Sequence, residues 1–309
     1  MITVVFASFN GEDTLPRMLE SFTHLIAPPG GWKILAIDNN SNDNTKRVIE
    51  SYQSKLPITY LFEGKPGKNH ALNAALQYLE GELAVFTDDD VLPEPDWLIR
   101  LYECVKRHPD SAIFGGAILP SWAEPPATWI TEVVPLGVTF ALTAPSLKEG
   151  EISPGLIWGP NMAIRSDIFA RGHQFNTAVG PDGSNNYAMG SETEFNLRLA
   201  KLGYKSYFCP QARVRHIIHK HQMAREWILK RGFRCGRNMY MKQASDFPSS
   251  LSLLLGVPRW MIRKLLIQYA VAFRARLLNR PKEYFEAAWD IEYAKGYFFE
   301  AMRNRQKRW

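Results

Sequence analysis

The sequence predicts an α/β fold: a mostly parallel sheet flanked by helices, with a helical appendage at the C-terminal end. Two observations carry this. Short β-branched runs alternate with segments of about ten residues at helical spacing over the first ninety residues, and charged and amide side chains gather where the strand-like runs end. Residues 2–8 (ITVVFAS) form the first strand-like run. Residues 14–25 then set Leu15, Met18, Leu19 and Phe22 at helical spacing. The pair repeats as a strand over 33–38 and a helix over 42–52, with Ser41 or Asn42 suited to the N-cap. Residues 58–62 give a third strand, residues 69–79 a third helix (Leu72, Ala75, Leu76, Leu79), and residues 83–87 a fourth strand. Strands separated by helices of this length imply parallel pairing with right-handed crossovers.

In such sheets ligands bind beyond the carboxyl ends of the strands. Those ends carry Ser8, Asn10 and Glu12 after the first strand, Asp38, Asn40 and Ser41 after the second, and Asp88, Asp89 and Asp90 after the fourth. Three adjacent carboxylates repel unless a cation or ligand compensates them. Asp88 and Asp90 offer hard oxygen ligands for Mg²⁺ or Mn²⁺ against a diphosphate. A solvated acidic turn is the plainer account of the triplet, and the loading of three strand ends favours a shared nucleotide site over it.

The runs VVFASFNGEDTL, ILAIDNNSNDNT, KPGKNHALNAAL and AVFTDDDVLPEPDWL, in this order, resemble the nucleotide-sugar half of a family 2 glycosyltransferase of the GT-A fold. WGPNMAIR resembles that family's loop with a G-x-N signature, which places Asn161 in the donor site, and GSETEFNLRL resembles the segment bearing its catalytic base. The resemblance covers roughly residues 1–240. It implies a GT-A catalytic domain with a nucleotide-binding half over 1–110 and an acceptor-side half over 111–240, leaving 241–309 as a basic amphipathic helical region. It also implies that Asp38 contacts the nucleobase and that Ser8, Asn10, Glu12, Asn40, Lys65 and Lys68 border the nucleotide-sugar pocket. Asp88, Asp89 and Asp90 form its acidic motif, Asp88 and Asp90 as metal ligands. His216, after the strand-like residues 211–215, is then a third ligand for Mn²⁺ or Mg²⁺.

Sugar transfer also requires a base for the acceptor proton. Gly190, Ser191, Glu192, Thr193 and Glu194 open a helix, where the dipole favours an ionised carboxylate. Glu192 is the candidate base and Glu194 the reserve, because the family more often carries an acidic pair ending in Asp where this chain has Ser191 and Glu192. Gly180, Pro181, Asp182 and Gly183, followed by residues 184–187, read as a mobile loop that closes over bound donor.

Hydrophobic residues make up 46% of the 309, enough for one large α/β domain and an appendage. Cys104, Cys209 and Cys235 are odd in number and lack a C-x-x-C pair, which argues against a disulfide framework or a structural zinc and fits a reducing cytoplasm. The first apolar run reads as a central strand rather than a signal peptide, and no apolar stretch reaches the length of a spanning helix. A soluble or peripheral protein on the inner face of the plasma membrane is expected.

The net charge is +6, and residues 241–309 hold 13 Lys plus Arg against 6 Asp plus Glu, so the excess lies in the tail. Residues 251–278 mix Leu, Ile, Trp and Phe with Arg259, Arg263, Lys264, Arg274 and Arg276. That composition suits a helix lying on an anionic membrane, in preference to a cap whose apolar face covers the catalytic domain. No nucleic-acid-binding motif accompanies the charge. Residues 213–237 are also basic, fitting a diphosphate or a solvated helix face. Gln222, Arg225 and Trp227 approach the Q-x-x-R-W motif of processive synthases, but Glu226 intervenes and no membrane spans accompany it. Trp122 and Trp129 lie in a Pro-rich segment where rings either stack on sugars or fill a core.

The resemblance implies an inverting, metal-dependent transfer from a nucleotide-diphosphate sugar, UDP-linked, to a hydroxyl of a glycan or lipid-linked acceptor, in surface polysaccharide or glycolipid biosynthesis. Two other readings stand beside it. One is a catalytically silent nucleotide-sugar-binding or membrane-scaffold protein. The other is a sugar-phosphate nucleotidyltransferase, although the first strand is followed by SFNGED rather than a glycine-rich phosphate loop. The sequence assigns no oligomeric state.

Overall fold

A computed structural model describes residues 1–184, 186–244, 253–254 and 256–306. Residues 251, 252 and 255 of the proposed membrane segment and residue 185 of the proposed closing loop lie outside the described residues. The chain divides into two units, one comprising residues 1–121, 141–184 and 191–217, the other residues 122–140, 185–190 and 218–309.

The first unit opens with β1 (Ile2–Ser8), α1 (Leu15–Phe22), β2 (Trp32–Asp38), α2 (Thr45–Ser51), β3 (Ile58–Phe62), α3 (Lys68–Ala75) and β4 (Leu83–Phe86). β1 pairs in parallel with β2 on one side and β4 on the other, and β3 extends the sheet beyond β2. The apolar run of β1 is therefore buried on both faces, as a central parallel strand requires. Ser8 lies opposite Asp38, and the Thr87 amide donates to the Val5 carbonyl, so the turns after all three strands open on one edge.

The chain then adds β5 (Val91–Pro93), α4 (Trp97–Arg107), β6 (Ser111–Trp122), β7 (Gly150–Glu151), β8 (Met162–Arg165), α7 (Ser166–Ala170), α8 (Ser191–Lys201) and β9 (Lys205–Ile218), with α5 (Thr128–Val133) and α6 (Leu136–Phe140) in the second unit. Strand order is β3-β2-β1-β4-β8-β6-β9-β5, with β7 paired to β9. β8 runs antiparallel to β4, which ends the parallel half at β4.

Behind the sheet, Phe86, Phe169, Phe175 and Phe195 form an aromatic cluster with ring centroids 4.5 to 6.1 Å apart. Phe195 belongs to α8, so this cluster fixes the helix that bears the predicted base. Asn73 donates to the Phe175 carbonyl and accepts its amide, both at 2.9 Å, while Asn69 donates to the carbonyls of Asn176 and Val179. These amides fasten residues 175–179 to α3.

Two sequence expectations are corrected. Neither Ser41 nor Asn42 caps α2. The N-cap position is Asn44, without a side-chain cap bond, because Ser41 Oγ accepts the Asn10 amide and the Asn42 amide donates to Asn10 Oδ1. Those two residues tie the first loop to the second instead. Cys104 of α4 and Cys209 of β9 form a disulfide with Cα atoms 6.4 Å apart, leaving Cys235 free. A separation of 105 residues carries no pairing signal in sequence, and the bond removes the thiol-based ground for expecting a reducing compartment.

The second unit is helical, built from α5, α6, α9 (Arg225–Ala244), a short hairpin of β10 (Leu253–Leu254) and β11 (Val257–Pro258), α10 (Arg259–Leu277) and α11 (Pro281–Gln306). α9 and α11 cross closely enough that a Cβ on Gly236 would overlap the Tyr293 carbonyl, and one on Gly296 the Phe233 carbonyl. Beside the crossing, Arg237 makes two hydrogen bonds to Glu300, with both side chains nearly fully buried. Trp122 meets Phe140 edge-on at 5.4 Å and Trp129 meets Phe285 at 4.9 Å, so both rings pack on aromatic neighbours. Of the Q-x-x-R-W-like residues, Gln222 accepts the His219 amide, Arg225 lies over the Tyr284 ring and Trp227 stacks on Phe140. Among the described residues no helix is long and apolar enough to cross a membrane.

Candidate active site

The turns at the carboxyl edge enclose a cavity of about 400 Å³. Of the residues predicted from sequence, Ser8, Asn40, Lys68, Asp88, Asp89 and Asp90 line it. Asn10 and Asn40 hold φ angles of 54° and 62°, a left-handed backbone that asparagine tolerates better than most residues. Each sits at a tight reversal right after a strand.

Lys68, at the first position of α3, organises the acidic groups. Its Nζ donates to Asp88 Oδ1 and to Glu192 Oε1, each at 2.6 Å. Its own amide donates to the Pro181 carbonyl, and Pro181 and Gly183 line the cavity wall. Burial alone would push the Glu192 carboxyl up, but the Lys68 ammonium and hydrogen bonds from Lys68 and the local backbone outweigh it and hold Glu192 below the usual glutamate range. Asp88 comes out the other way. Burial and the charges of Glu192 and Asp90 raise it despite Lys68. Lys68 itself is held well above the lysine range, the two carboxylates overcoming its burial. Asp89 is pushed up to about 7, chiefly by burial and then by Asp90, although Ser8 Oγ donates to it.

Glu192 sits in the first turn of α8 and presses on Gly159 of the WGPN loop, where a Cβ would come within 2.5 Å of its Oε1. Any side chain at 159 would displace the carboxylate. Glu194, the reserve base, pairs with Arg198 at 3.2 Å in the same helix. On the other side of the triplet, His216 Nε2 lies 3.2 Å from Asp90 Oδ2, β5 and β9 pairing antiparallel with Val91 opposite His216.

The remaining predicted residues occupy supporting positions. Asp38 is buried, accepting the Ser41 amide at 2.9 Å and the Tyr60 hydroxyl at 3.0 Å. Glu12 accepts the backbone and side-chain N–H of Asn44. Asn161 is fully buried, accepting from Trp97 Nε1 and donating to the carbonyls of Ala117 and Ala212. Lys65 offers its carbonyl to Asn39 Nδ2. None of Asn10, Glu12, Asp38, Lys65, Asn161, Glu192 or His216 is among the cavity-lining residues.

Sequence reasoning missed Phe9, Asn39, Pro66 and Gly67, which line the same cavity. Asn39 shapes its floor by donating to the Glu63 and Lys65 carbonyls and accepting the Gly67 amide. Its signal was present, since it stands beside Asn40 in the run IDNNSN, but nothing in the string distinguishes the inward amide from the outward one.

No three His, Cys, Asp or Glu side chains converge on one metal-binding point among the described residues. Asp88 is drawn to Lys68 while Asp90 faces His216. The donor set nevertheless fits a hard divalent cation, because Mg²⁺ and Mn²⁺ bind through one or two carboxylates and complete their shells with water and substrate phosphate.

Known proteins agree with this architecture. The profile described as "Glycosyl transferase family 2" matches residues 3–171. Succinoglycan biosynthesis protein ExoM of Rhizobium meliloti (strain 1021) is 25% identical over 214 residues, covering 66% of this chain and 63% of that protein. A dolichyl N-acetyl-alpha-D-glucosaminyl phosphate 3-beta-D-2,3-diacetamido-2,3-dideoxy-beta-D-glucuronosyltransferase of Methanococcus voltae is 26% identical over 223 residues, covering 68% and 64%. The chain thus spans just under two thirds of the length of these relatives. Among solved structures, the mannosyltransferase PcManGT of Pyrobaculum calidifontis, in complex with GDP-Man and Mn²⁺, superposes with a TM-score of 0.58 at 18% identity, covering 99% of this chain and 75% of that one. S. aureus TarS 1-349 in complex with UDP-GlcNAc gives 0.55 at 16% identity, covering 99% and 92%. These two likenesses concern the fold, a mixed α/β arrangement of the GT-A kind. The matched profile covers more than half of the chain and holds every strand of the parallel half of the sheet, and the chain accordingly belongs to glycosyl transferase family 2.

Proposed function

We propose that the protein transfers a sugar, with inversion, from a UDP-linked donor to a hydroxyl of a glycan or lipid-linked acceptor in surface polysaccharide or glycolipid biosynthesis. One observation carries this reading: a carboxylate held ionised, Glu192, shares a single ammonium with an aspartate of the acidic rim. A base and a diphosphate-binding edge thus stand one lysine apart. Relatives in polysaccharide and glycolipid synthesis, and structures similar in fold that contain GDP-Man or UDP-GlcNAc, support the same reading.

In this mechanism the nucleoside lies against the turns of Asp38 and Asn40, and the diphosphate faces Lys68 and the acidic rim. Glu192 accepts the acceptor hydroxyl proton as that oxygen bonds to the anomeric carbon, on the face opposite the diphosphate. The bond from the anomeric carbon to the diphosphate breaks, and the electron pair leaves with the nucleotide. Asp88 and Asp90, with His216 beside them, would hold Mn²⁺ or Mg²⁺, which when bound supplies positive charge to the leaving diphosphate. Residues 1–240 are the catalytic part in this reading.

The experiment is a thermal-shift panel of UDP, GDP, dTDP and CDP sugars with and without Mn²⁺, followed by transfer assays on Glu192→Gln. A UDP-sugar should raise the unfolding temperature in a Mn²⁺-dependent way. Glu192→Gln should keep that shift while losing roughly 10²–10⁴-fold in turnover. Stabilisation by no donor, or full turnover in the variant, would overturn the assignment.

A further inference from the structure

α10 carries apolar side chains on two sides. The side facing α11 buries Met261, Ala272 and Ala275, with Ile262, Leu265 and Val271 packed beside them, and Lys264 and Gln268 bond to Asp290 of α11 at 3.2 and 3.0 Å. A second set of large apolar side chains projects outward, with Leu266 at 66%, Phe273 at 67% and Leu277 at 70% exposure. At 3.6 residues per turn, positions 259, 263, 266, 270, 273 and 277 fall within an arc of about 80°. Ile267 and Arg274 border that arc.

The same face is cationic. Arg259 and Arg263 lie in the arc and Arg274 at its border, all three exposed, Arg276 is exposed on the flank beyond it, and residues 259–277 contain no acid at all. Arg274 reaches Glu283 at 3.6 Å, whereas Arg259, Arg263 and Arg276 form no ion pair among the described residues.

Three occupants fit this face poorly. A spanning role fails because the helix carries five cations in 19 residues and none of the described helices is apolar enough to cross. A symmetric pairing with a second copy sets arginine against arginine with no acid on the face to answer it. A nucleic acid would satisfy the arginines but leave the central Leu266, Phe273 and Leu277 facing phosphate and water. An anionic bilayer surface satisfies both components, since arginines meet headgroup phosphates while apolar side chains enter the acyl boundary.

We propose that the outward face of α10 is a docking surface for anionic phospholipid membranes. The arginines steer and hold the protein at the headgroups, and the Leu266, Phe273 and Leu277 side chains supply the insertion. Large exposed apolar patches mark interaction sites, and the charge pattern names the partner here. The proposal does not rest on sugar transfer, and its assay contains no donor.

The test is sedimentation of the full chain with phosphatidylcholine vesicles, alone or carrying about a third phosphatidylglycerol, at low and at physiological salt. Binding should require phosphatidylglycerol and weaken with salt. Replacing Arg259, Arg263 and Arg276 together by Gln should lower partitioning roughly a hundredfold. Leu266→Ser with Phe273→Ser should abolish binding at physiological salt, with circular dichroism and thermal unfolding unchanged because both sites are exposed. Equal binding to both vesicle types, no binding to either, retention by either variant, or a dimer in light scattering that Phe273→Ser dissociates would each overturn the proposal.

Discussion

Lys68 carries one positive charge and serves two partly buried carboxylates, so its removal reaches beyond the loss of one contact. Lys68→Met leaves Asp88 and Glu192 facing each other without a cation, which should cost about 1–3 kcal/mol, less than for a fully buried ion pair. The sign with pH follows from the shifts. In the native chain Glu192 is held low, so its share of stability is present above the usual glutamate range and fades as pH falls through the lowered value. Lys68 is held high, so its share persists through the lysine range and is lost only above it. In the variant, burial and mutual repulsion drive both carboxyls up, so the deficit should be large at pH 8 and shrink towards pH 5. Urea unfolding at the two pH values checks this, and a deficit that stays constant or grows in acid contradicts it. The Asp triplet was legible because charge and strand period place it at a rim without reference to the rest of the fold. The bond from Lys68 to Glu192, 124 residues away, was not, because only the packing of α8 on the Phe86 cluster closes that distance. Asn161 shows the same limit, since the string gives its type but not the buried direction of its amide.

The helices of the second unit depend on close approach of backbones. Gly236 and Gly296 let α9 and α11 touch main chain to main chain, and a methyl at either position meets a carbonyl that cannot rotate away. Gly236→Ala should cost about 1–3 kcal/mol by overpacking, despite alanine's better helix propensity. Gly64→Ala, which meets only the Phe62 ring at 3.4 Å, should stay within about 0.5 kcal/mol. Chemical unfolding of both variants decides the point, and equal stabilities would remove the crossing as the cause. At this scale the sequence announced the alternating strands and helices of the parallel half through periodicity, with ends shifted by a few residues. It did not announce that β8 turns antiparallel against β4, because strand order is set by long-range pairing that leaves no local period. The capping signals at Ser41 and Asn42 misled for a related reason, as the same side-chain chemistry that caps a helix also ties two loops.

Over the whole molecule, fold class followed from the alternation of elements and family from four ordered motifs. The role of the tail depended on direction. Composition already set a membrane surface ahead of a cap for residues 251–278, and the outward turn of Leu266, Phe273 and Leu277 adds a direction that composition lacks. The bond between Cys104 and Cys209 bears on how the chain withstands cutting. It closes a covalent ring that includes the exposed residues 181–184, with glycines at positive φ at 180 and 183. Such a stretch is where a protease first nicks a folded protein. One cut there should leave two fragments that run as a single full-mass band on a denaturing gel and part only when a reductant is added. Separate bands without reductant would mean that the ring is open and that this half of the molecule has no covalent safeguard against a cut at this turn.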